Sequence, residues 1–580
     1  MVNDIYILGI SCYYHDSAAV LIKNGQLIAA AQEERFTRKK HDESFPANAI
    51  KFCLAYEGIN IKDVSCVGFY DKPLLKFERI VESFIKSWPQ DYKMFIRAMP
   101  IWLKDKLWIK NKIKKELNYK GPVYFSEHHM SHAASAFFVS PFKGAAILTV
   151  DGVGEWATTA FGLGRDNKID IIREINYPDS LGLFYSFFTY YLGFKPNSGE
   201  YKVMGLAPYG EPIYEDKIRR LISIFPDGSF KLDRAIFKSF YEMGDIEAKF
   251  KNIFGRPKRA PDDKLEQFHK DLAASIQKVT NDIIVMMANY VYKETNIDSL
   301  CLAGGVALNC VANSQILKNT PFKNIFIQPA AGDAGGALGA AYYVWHQVFK
   351  NERNFVMEHA SWGPKFSNKE IKEFLDKKKV EYEFMDHGQL LKTVAALINK
   401  QNVVGWFQGR MEWGPRALGN RSILADPRNK GNWQRVNLKI KFRESFRPFA
   451  PSVMEEYVSE FFDFPFPSPY MLFVAGVKTD NIPAVTHVDK TARLQTVSNR
   501  SDSLYHGLLE EFGHLTGCPV LINTSFNIRG EPIVCTPEDA FNTFIKTDID
   551  YLILGNFVLD KKVISQKYPF VKPEISPDVD

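Results

Sequence analysis

The sequence has no apolar run long enough to span a membrane, and its cysteines show no paired spacing. A transmembrane helix needs about 20 consecutive apolar residues, and charged or polar residues interrupt every apolar stretch before that length. The seven cysteines are scattered, without a Cys-x-x-Cys pattern, which favours reduced thiols. Asp4 precedes any apolar run, so no secretory signal is indicated. We therefore expect a cytoplasmic protein with no membrane partner.

Net charge is also small. The 73 basic and 67 acidic residues leave a formal charge of +6, which does not by itself indicate a nucleic-acid partner. At 580 residues and 46% hydrophobic composition, the chain can bury a large core, and its length suggests two or more domains. The lysines between Lys104 and Lys120 alternate with apolar residues, a pattern typical of an amphipathic surface helix.

One plan of strand, acidic loop and hairpin occurs twice. In the first copy the buried strand Ile5 to Ile10 leads to a loop with Asp16, and the turn Asn24-Gly25 then joins two apolar runs. In the second copy Ala145 to Val150 leads to Asp151 and another hairpin. The repetition predicts an internally duplicated α/β domain with a cleft between its halves.

A histidine pair lies at helical spacing between the two copies. His128 and His132 are four residues apart, so a helix would place both imidazoles on one face. Asp151 and Asp333, each in a loop at a strand end, could add oxygen ligands for a metal. Such a pair is more often a hydrogen-bonded structural pair, but the aspartate loops favour a metal. His129, three residues before His132, is an alternative partner.

Glycine-rich loops after strands suggest a nucleotide cleft. Ser198 to Gly210 crowds glycines and polar residues around Lys202. Gly304-Gly305 follows an apolar strand and precedes a helix that starts near Asn309. The free amides of a helix start can bind an anion, and glycine lets a phosphate come close. With the Asp333 loop, these units make a nucleotide cleft the favoured interpretation.

The densest polar cluster lies in the last third of the chain. We predict a first domain over residues 1–358, a linker and the start of a second domain over 359–400, a second domain over 401–567, and a tail over 568–580. Cations interleaved with phenylalanines suit a triphosphate, because guanidinium groups bind phosphate oxygens in pairs and keep their charge. RNA would need the same residues, but an aromatic-braced pocket favours a small polyanion. Gln408 to Ser422 carries three arginines, among them Arg416 and Arg421, and Lys441, Arg443 and Arg447 follow.

The order of these stretches resembles the O-carbamoyltransferase family, which includes enzymes of nodulation-factor, tobramycin, cephamycin and ansamycin biosynthesis. The likeness covers nearly the whole chain. Its specific parts are Tyr14 to Ala19, Glu127 to Phe137, Ser198 to Gly210, Arg416 to Ser422, Lys441 to Pro451 and Asn523 to Asn527.

The resemblance implies an N-terminal domain of the duplicated actin and Hsp70 class (ribonuclease H-like) and an α/β C-terminal domain similar to threonylcarbamoyl-adenylate synthases. In that family the C-terminal domain forms carbamoyl adenylate and pyrophosphate from carbamoyl phosphate and ATP. The N-terminal domain then passes the carbamoyl group to an acceptor hydroxyl and releases AMP.

The resemblance also implies roles for individual residues. The ligands of a divalent metal, with Fe(II) expected, are His128, His132, Asp151 and Asp333. The catalytic residues are His15 with Asp16 in the N-terminal domain, and Lys441 and Arg447 in the C-terminal domain. ATP with Mg(II) and carbamoyl phosphate would bind Arg416, Arg421, Lys441, Arg443, Arg447, Met471, Arg493, Asn523 and Ser525. Carbamoyl adenylate would bind Lys202, Gly304, Gly305 and Asn309 in the N-terminal domain.

Other functions remain open at this level. A threonylcarbamoyl-type tRNA-modifying enzyme shares both folds but predicts a continuous basic surface. A sugar kinase of the actin and Hsp70 class leaves the C-terminal cations without a role, and a non-catalytic binding module is a further alternative. The expected partners are ATP, carbamoyl phosphate and a hydroxylated small molecule, with no nucleic acid; a homodimer is plausible in the family. We expect the stretches Lys72 to Leu117 and Tyr185 to Asn197 to shape the acceptor pocket.

Overall fold

The computed structural model describes residues 4–89, 92–237 and 243–569. The chain forms two compact units, of which the first comprises Met1–Glu33 and Glu43–Met357 and the second Glu34–Asp42 and Glu358–Asp580. The longer part of the second unit starts at Glu358, and residues 359–400, predicted as a linker and the start of the second domain, lie within this unit. The short segment Glu34–Asp42 was not predicted to belong there, and most of the predicted tail lies outside the described residues.

The first unit contains two five-stranded sheets. The first sheet has the order β3-β2-β1-β4-β5, with β1 antiparallel to β2 and parallel to β4. Its Asn24-Gly25 turn closes the predicted hairpin, with both residues at positive φ. The strands are β1 (Tyr6–Ser11), β2 (Ala18–Lys23), β3 (Gln26–Gln32), β4 (Cys66–Phe69) and β5 (Val123–Phe125).

The second sheet repeats this topology. Its order is β8-β7-β6-β11-β12, with β6 antiparallel to β7 and parallel to β11. The predicted internal duplication is thus confirmed at the level of strand order and direction. The strands are β6 (Gly144–Val150), β7 (Ala157–Arg165), β8 (Lys168–Asn176), β11 (Ser299–Ala303) and β12 (Asn324–Phe326), and a separate two-stranded ribbon is formed by β9 (Ile222–Ile224) and β10 (Phe230–Leu232).

Helices cover both sheets. Apart from α1 (Glu34–Thr37) of the second unit, the helices up to residue 357 are α2 (Ala47–Glu57), α3 (Pro73–Ser87), α4 (Tyr92–Lys104), α5 (Ile109–Glu116), α6 (His128–Phe137), α7 (Leu181–Tyr191), α8 (Glu200–Leu206), α9 (Glu215–Arg219), α10 (Met243–Phe254), α11 (Gln267–Thr295), α12 (Cys310–Asn319) and α13 (Ala334–Tyr343). Short 3-10 turns occupy Ile61–Asp63, Lys106–Trp108, Ala207–Tyr209 and Gly305–Leu308, and a π-helical turn follows α13 at Val344–Val348.

Two helices lie between the sheets and pack against each other. Helix α13 contacts β1, β2 and β4 of the first sheet, and α6 contacts β6, β7 and β11 of the second. Small residues allow this close packing: a Cβ on Gly339 of α13 would lie 1.8 Å from the carbonyl oxygen of Ser131 on α6. This contact brings the start of α6, with its histidines, close to Asp333 at the start of α13.

The second unit is built on one ten-stranded sheet, with the order β13-β22-β21-β14-β15-β20-β16-β19-β18-β17. The strands are β13 (Glu383–Phe384), β14 (Val404–Phe407), β15 (Arg421–Ala425), β16 (Ala450–Met454), β17 (Phe462–Asp463), β18 (Phe473–Val477), β19 (Thr491–Val497), β20 (Val520–Ser525), β21 (Tyr551–Leu554) and β22 (Phe557–Asp560). A turn with Gly555 at positive φ joins β21 and β22 into an antiparallel hairpin.

The helices of this unit are α14 (Asn368–Lys378), α15 (His387–Asn399), α16 (Lys430–Arg435), α17 (Val458–Phe461), α18 (Ser503–Thr516), α19 (Pro537–Ile545) and α20 (Lys561–Ile564), with a 3-10 turn at Glu455–Tyr457 and a π-helical turn at Val436–Ile440. Helices α15 and α18 contact each other and bury an apolar core against the sheet. No helix within the described residues combines the length and apolarity needed to cross a bilayer. All seven cysteines are free and buried.

Candidate active sites

The N-terminus of α6 is anchored by a buried carboxylate. Both oxygens of Glu155 accept from the His128 amide, at 3.1 and 3.0 Å, and one also accepts from the Lys72 amide at 2.7 Å. The first amides of a helix have no partner within the helix, so Glu155 satisfies one and fixes where α6 begins. Sequence reasoning missed this role; the available signal was an acid that closes the second acidic loop, four residues after Asp151.

The four predicted metal ligands come together in the first unit. His128 and His132 point their Nε2 atoms at each other, 3.1 Å apart. The His128 Nε2 lies 3.1 Å from Asp151 Oδ2, and both Nε2 atoms lie 3.6 Å from Asp333 Oδ1. One ligand atom from each residue falls within 4.8 Å of the others. Two nitrogens and two oxygens at this separation form a donor set that suits a divalent transition metal.

His129 lies outside this group. Its Nδ1 hydrogen-bonds the Thr149 hydroxyl at 2.7 Å, and that hydroxyl donates to the Ala160 carbonyl at 3.2 Å. Burial, assisted by the neighbouring histidines, lowers the pKa of His129 to about 3. It is therefore a neutral structural histidine, and of the two alternatives it is His128 that pairs with His132.

The histidines and aspartates of the cluster shift one another's pKa values. Burial alone would raise the pKa of Asp151, but hydrogen bonds from His128 and His132 hold it well below its usual range. Burial alone would lower the pKa of His132, but hydrogen bonds to Asp151 and Asp333 raise it to about 9. The second oxygen of Asp151 accepts from the Gly305 amide at 2.7 Å, which orients the carboxylate toward the histidines.

His15 lies in the loop after β1 of the same unit. Its Nδ1 is 2.9 Å from Asp16 Oδ2, and Asp16 and Tyr13 both have positive φ, a conformation that non-glycine residues rarely adopt. Burial alone would lower the pKa of His15, but the bond to Asp16 and the charges of Asp16, Asp333 and Asp151 raise it to about 9. The electrostatic influence of Asp151 and Asp333 places His15 near the metal-ligand cluster.

The predicted adenylate loop occupies the C-terminal ends of β6 and β11. Gly304 has φ +92°, and a Cβ there would lie 2.3 Å from the Val150 carbonyl oxygen, so only glycine fits. Asn309 caps α12 by accepting from the Ala312 amide at 3.1 Å and also bonds Gln277. Lys202 is 1% exposed, with its ammonium 5.5 Å from the Phe194 ring centroid. Gly304 and Gly305 thus lie next to Asp151 of the metal-ligand cluster, which accepts from the Gly305 amide.

In the second unit one face of the sheet changes from apolar to polar along its length. Residues two apart on a strand share a face, and the apolar end of this face packs in the core through Leu521, Met454 and Val497. Toward the other end, Asn523 Nδ2 and Ser452 Oγ both donate to Gln495 Oε1, at 2.8 and 2.5 Å. Arg493 and Ser525 continue that face. The strands therefore present polar groups just where the covering helices end.

Lys441 ties two segments together at this polar end. It is 3% exposed, and its ammonium donates to the Ser525 carbonyl at 2.6 Å, the Ser525 hydroxyl at 3.1 Å and the Asn527 carbonyl at 2.8 Å. The Lys441 ammonium therefore lies at the polar end of the sheet, and its hydrogen bonds also fix the loop after β20. The Asn523 amide oxygen is buried without a partner in the described part of the unit, which leaves an acceptor for a ligand donor.

The arginine loop between β14 and β15 is organised by Glu412. This carboxylate is 3% exposed, and its Oε1 accepts from the amides of Leu418, Asn420 and Arg421 at 2.8, 2.8 and 3.1 Å. Gln495 also donates to the Leu418 carbonyl at 2.7 Å. Glu412 therefore fixes the loop that carries Arg416 over the polar end of the sheet. Sequence reasoning missed it, although it is the single acid within a basic motif.

Two predicted ligand arginines have structural partners. The expectation that Arg421 binds phosphate is wrong: it is fully buried, its guanidinium donates to the carbonyls of Gln408 and Pro364, and its Cζ lies 3.7 Å from the Phe407 ring centroid. Burial lowers its pKa to about 10. Arg443 donates to the Asn437 side chain at 2.7 Å and lies over Phe449, so it braces the π-helical turn.

The remaining candidates lie on elements that border the same end of the sheet. Arg447 is half-buried beside Glu444 at 3.9 Å, and its carbonyl is held by the Trp433 indole and the Asn437 amide. Arg493 is on β19, opposite Val474 of β18. Met471, just before β18, is 2% exposed and has φ +56°.

The segment Glu34–Asp42 adds two arginines to the second unit. Arg38 donates to the carbonyls of Ile533 and Pro532, both at 2.7 Å, and Arg35, 2% exposed, donates to the Gly414 carbonyl at 2.7 Å. The segment thus contacts both the arginine loop and the loop after β20. No local pattern could have found this, because its partners lie more than 370 residues away.

Comparisons with known proteins agree with this division of the chain. A family model described as the carbamoyltransferase N-terminus matches residues 6–342, and one described as the carbamoyltransferase C-terminus matches residues 395–561. An uncharacterized protein of Synechocystis sp. is 51% identical, with 97% of this chain and 98% of that protein covered. The nodulation protein NolNO of Sinorhizobium fredii is 38% identical, with coverages of 95% and 80%. The 3'-hydroxymethylcephem-O-carbamoyltransferase of Streptomyces clavuligerus is 30% identical, with coverages of 75% and 80%.

Proposed function

Because the chain belongs to the carbamoyltransferase family, we propose that it is an O-carbamoyltransferase that uses ATP and carbamoyl phosphate in two successive steps. The second unit forms carbamoyl adenylate, and the first unit, of the duplicated actin and Hsp70 class, transfers the carbamoyl group to a hydroxyl of a small molecule. The Streptomyces relative carries such an activity in its name. The separate polar centres of the two units support two distinct reactions.

The first step belongs to the polar end of the ten-stranded sheet. Water releases phosphate from carbamoyl phosphate, an oxygen of the resulting carbamate attacks the α-phosphorus of ATP, and pyrophosphate leaves. Negative charge builds up on the α-phosphate and on the leaving group, so fixed cations are what this step requires. We assign this role to Arg416, Arg447 and Arg493, while Lys441 donates to the Ser525 hydroxyl and positions it.

The second step belongs to the first unit. The hydroxyl of the acceptor attacks the carbamoyl carbon, its proton goes to His15, and AMP leaves with the electrons of the broken carbon–oxygen bond. Asp16 orients the His15 ring through the 2.9 Å contact at Nδ1. We assign the adenylate phosphate to the loop at Gly304 and Gly305, which precedes a helix and carries no side chain that would block a phosphate.

The four-residue cluster fits a divalent metal. Its ligand atoms lie within 4.8 Å of one another, and the two imidazole Nε2 atoms lie close to both carboxylates, which is the donor set that such an ion prefers. His128, His132, Asp151 and Asp333 would hold the ion, and we expect Fe(II). When bound, such an ion polarises a carbonyl or screens phosphate charge. ATP in the second unit would carry Mg(II).

The observation that supports this function most directly is the combination of both family matches with a cation-rich centre in the C-terminal unit. The test is to incubate the full chain with ATP, with and without carbamoyl phosphate, and to measure pyrophosphate and AMP. We expect pyrophosphate release that depends on carbamoyl phosphate. Release of ADP when a sugar is offered, with no pyrophosphate, would instead indicate a kinase.

A further inference from the structure

Basic side chains of α3 and of the 3-10 turn Lys106–Trp108 gather around Tyr14, the residue before His15, in the first unit. We call this group of side chains the basic pocket. The Lys76 ammonium lies 3.6 Å and the Lys106 ammonium 4.4 Å from the Tyr14 ring centroid. The Tyr14 ring also packs on Trp102, with centroids 6.2 Å apart. The stretch Lys72 to Leu117, which we expect to shape the acceptor pocket, thus contacts Tyr14 in the loop that carries the proposed catalytic histidine.

Arg79 of α3 completes this pocket. It is 4% exposed, and its Nε and Nη1 atoms are buried without hydrogen-bond partners in the described part of the chain. Its Cζ lies 5.2 Å from the Tyr177 ring centroid, and the Tyr177 amide donates to the Trp156 carbonyl at 2.8 Å. Trp156 follows Glu155, the residue that anchors the histidine helix. The pocket therefore includes the residue next to His15 and reaches the residue next to Glu155.

The charges of the pocket do not cancel. Asp71 is paired with Lys76, and Glu155 is occupied by the backbone amides of Lys72 and His128. Among the described residues, neither Arg79 nor Lys106 forms a salt bridge with an acid. A buried guanidinium that is left unpaired is costly, and native proteins rarely bury polar groups without partners.

Other groups in the pocket point to the same deficiency. The hydroxyls of Tyr14 and Tyr70 are buried and have no hydrogen-bond partner within the described ranges, so they add potential donors. Burial lowers the pKa of Lys106, and the charge of Lys76 lowers it further. An anion bound between Lys106 and Arg79 would offset both effects and satisfy the unpaired donors.

We propose that this pocket binds an acidic group of the acceptor, so that the hydroxyl compound carbamoylated by this chain bears a carboxylate or a phosphate. The inference rests on the proposed function, since it assigns the substrate class of the transfer step. Arg79 and Lys106 hold the anionic group, and this places the acceptor beside His15. Arg79 is thus a specificity-determining residue with no part in the bond changes.

The first experiment compares acceptors in matched pairs. The full chain, with ATP and carbamoyl phosphate, is offered glucuronate with glucose, galacturonate with galactose, and glycerol 3-phosphate with glycerol, and products are scored by mass for a gained carbamoyl group. We expect the charged member of a pair to be preferred, and the uronates and the phosphate distinguish a carboxylate from a phosphate ester. Equal use of both members, or preference for the neutral one, would overturn the inference.

A second experiment needs no knowledge of the acceptor. Crystals of the full chain soaked in sodium sulfate should show sulfate within hydrogen-bonding distance of Arg79 and Lys106, and Arg79→Gln should remove it. If no charged compound is carbamoylated and no sulfate is found there, the inference is wrong.

Variants of α3 test the role of Arg79 in kinetics. A hydrogen-bonded charge contributes about 1.5–3 kcal/mol, so Arg79→Gln should raise KM for the charged acceptor about 10- to 100-fold. KM for its neutral partner should stay unchanged, and Arg79→Lys should restore part of the preference. Lys86→Gln is the matched control, because the Lys86 side chain is 71% exposed on the same helix and pairs with Glu82.

The two levels of proposal fail differently. If the unaltered chain releases no pyrophosphate with carbamoyl phosphate, the proposed function fails, whatever the sulfate result. Suppose that the unaltered chain does release pyrophosphate. If Arg79→Gln then changes the rate at which carbamoyl adenylate decays without an acceptor, and leaves the KM of the charged acceptor unchanged, the pocket binds the adenylate phosphate. That result would overturn the present inference.

Discussion

Replacing Glu412 by Gln should loosen the arginine loop of the second unit and weaken ATP binding. In the native structure one carboxylate oxygen accepts from three amides, those of Leu418, Asn420 and Arg421. Hydrogen bonds to a charged acceptor contribute about 1.5–3 kcal/mol each, and bonds between neutral groups about 0.5–1.5 kcal/mol. Glutamine keeps an oxygen at the same position but removes the charge.

The difference of roughly 1 kcal/mol for each of three bonds gives a loss of about 3 kcal/mol. We expect it to appear partly as a lower free energy of unfolding and partly as a higher KM for ATP, since the loop carries Arg416. Urea unfolding and a pyrophosphate-release assay measure the two quantities on the same preparations. Glu510→Gln, on the exposed face of α18, is the matched control and should change neither.

The metal content of the first unit should stay unchanged in Glu412→Gln, because none of the four ligands lies in the second unit. If the variant unfolds at the same urea concentration as the unaltered chain and keeps its KM for ATP, the loop is held by other contacts. The reasoning from its three amide bonds would then be refuted.

Three further results are expected. His132→Ala and Asp333→Asn should each lose the bound transition metal, as measured by elemental analysis of the purified chain. The control His514→Ala, at an exposed position of α18, should retain it. Retention of the metal in all three variants would exclude the cluster as the metal site. The rate of carbamoyl transfer should rise with pH and level off near 9, because a general base must be unprotonated and the raised pKa keeps His15 charged below that value. His15→Gln should transfer slowly and lack this rise. A flat pH profile in the unaltered chain would argue that His15 is not the base. Gly339→Ala would place a Cβ 1.8 Å from the Ser131 carbonyl oxygen, so α6 and α13 must separate at a cost of about 1–3 kcal/mol or more in the free energy of unfolding, and metal binding should weaken. The control Gly388→Ala would bring its Cβ within 3.6 Å of a side-chain oxygen and should leave stability unchanged. Equal Tm values for the two variants would contradict the close-packing argument.

Local patterns were sufficient where the chemistry is local. Helical spacing identified His128 and His132, and aspartates at strand ends identified Asp151 and Asp333, because side-chain direction follows directly from secondary structure. The Asn24-Gly25 hairpin and the repeated strand plan predicted the duplication for the same reason. The choice between His128 and His129 needed coordinates, since both are compatible with a partner at His132.

Long-range contacts could not be predicted in this way. Glu155 and Glu412 stand out in the sequence only as acids within their loops, and the sequence does not show which backbone amides they accept from. Arg421 was assigned to phosphate by its residue type and its motif, but its burial against backbone carbonyls makes it structural. The segment Glu34–Asp42 folds with strands that follow hundreds of residues later, and local periodicity contains no information on such a partner.

The central claim is that two units of one chain perform two different half-reactions. The most direct measurement follows pyrophosphate release and carbamoyl transfer in parallel for the unaltered chain, Arg447→Gln and His15→Gln. Arg447 is a suitable site because its backbone is held by Trp433 and Asn437 independently of its side chain. We expect Arg447→Gln to lose both activities and His15→Gln to keep carbamoyl-dependent pyrophosphate release while losing transfer. Loss of both activities in His15→Gln, or transfer at full rate in Arg447→Gln, would contradict the account.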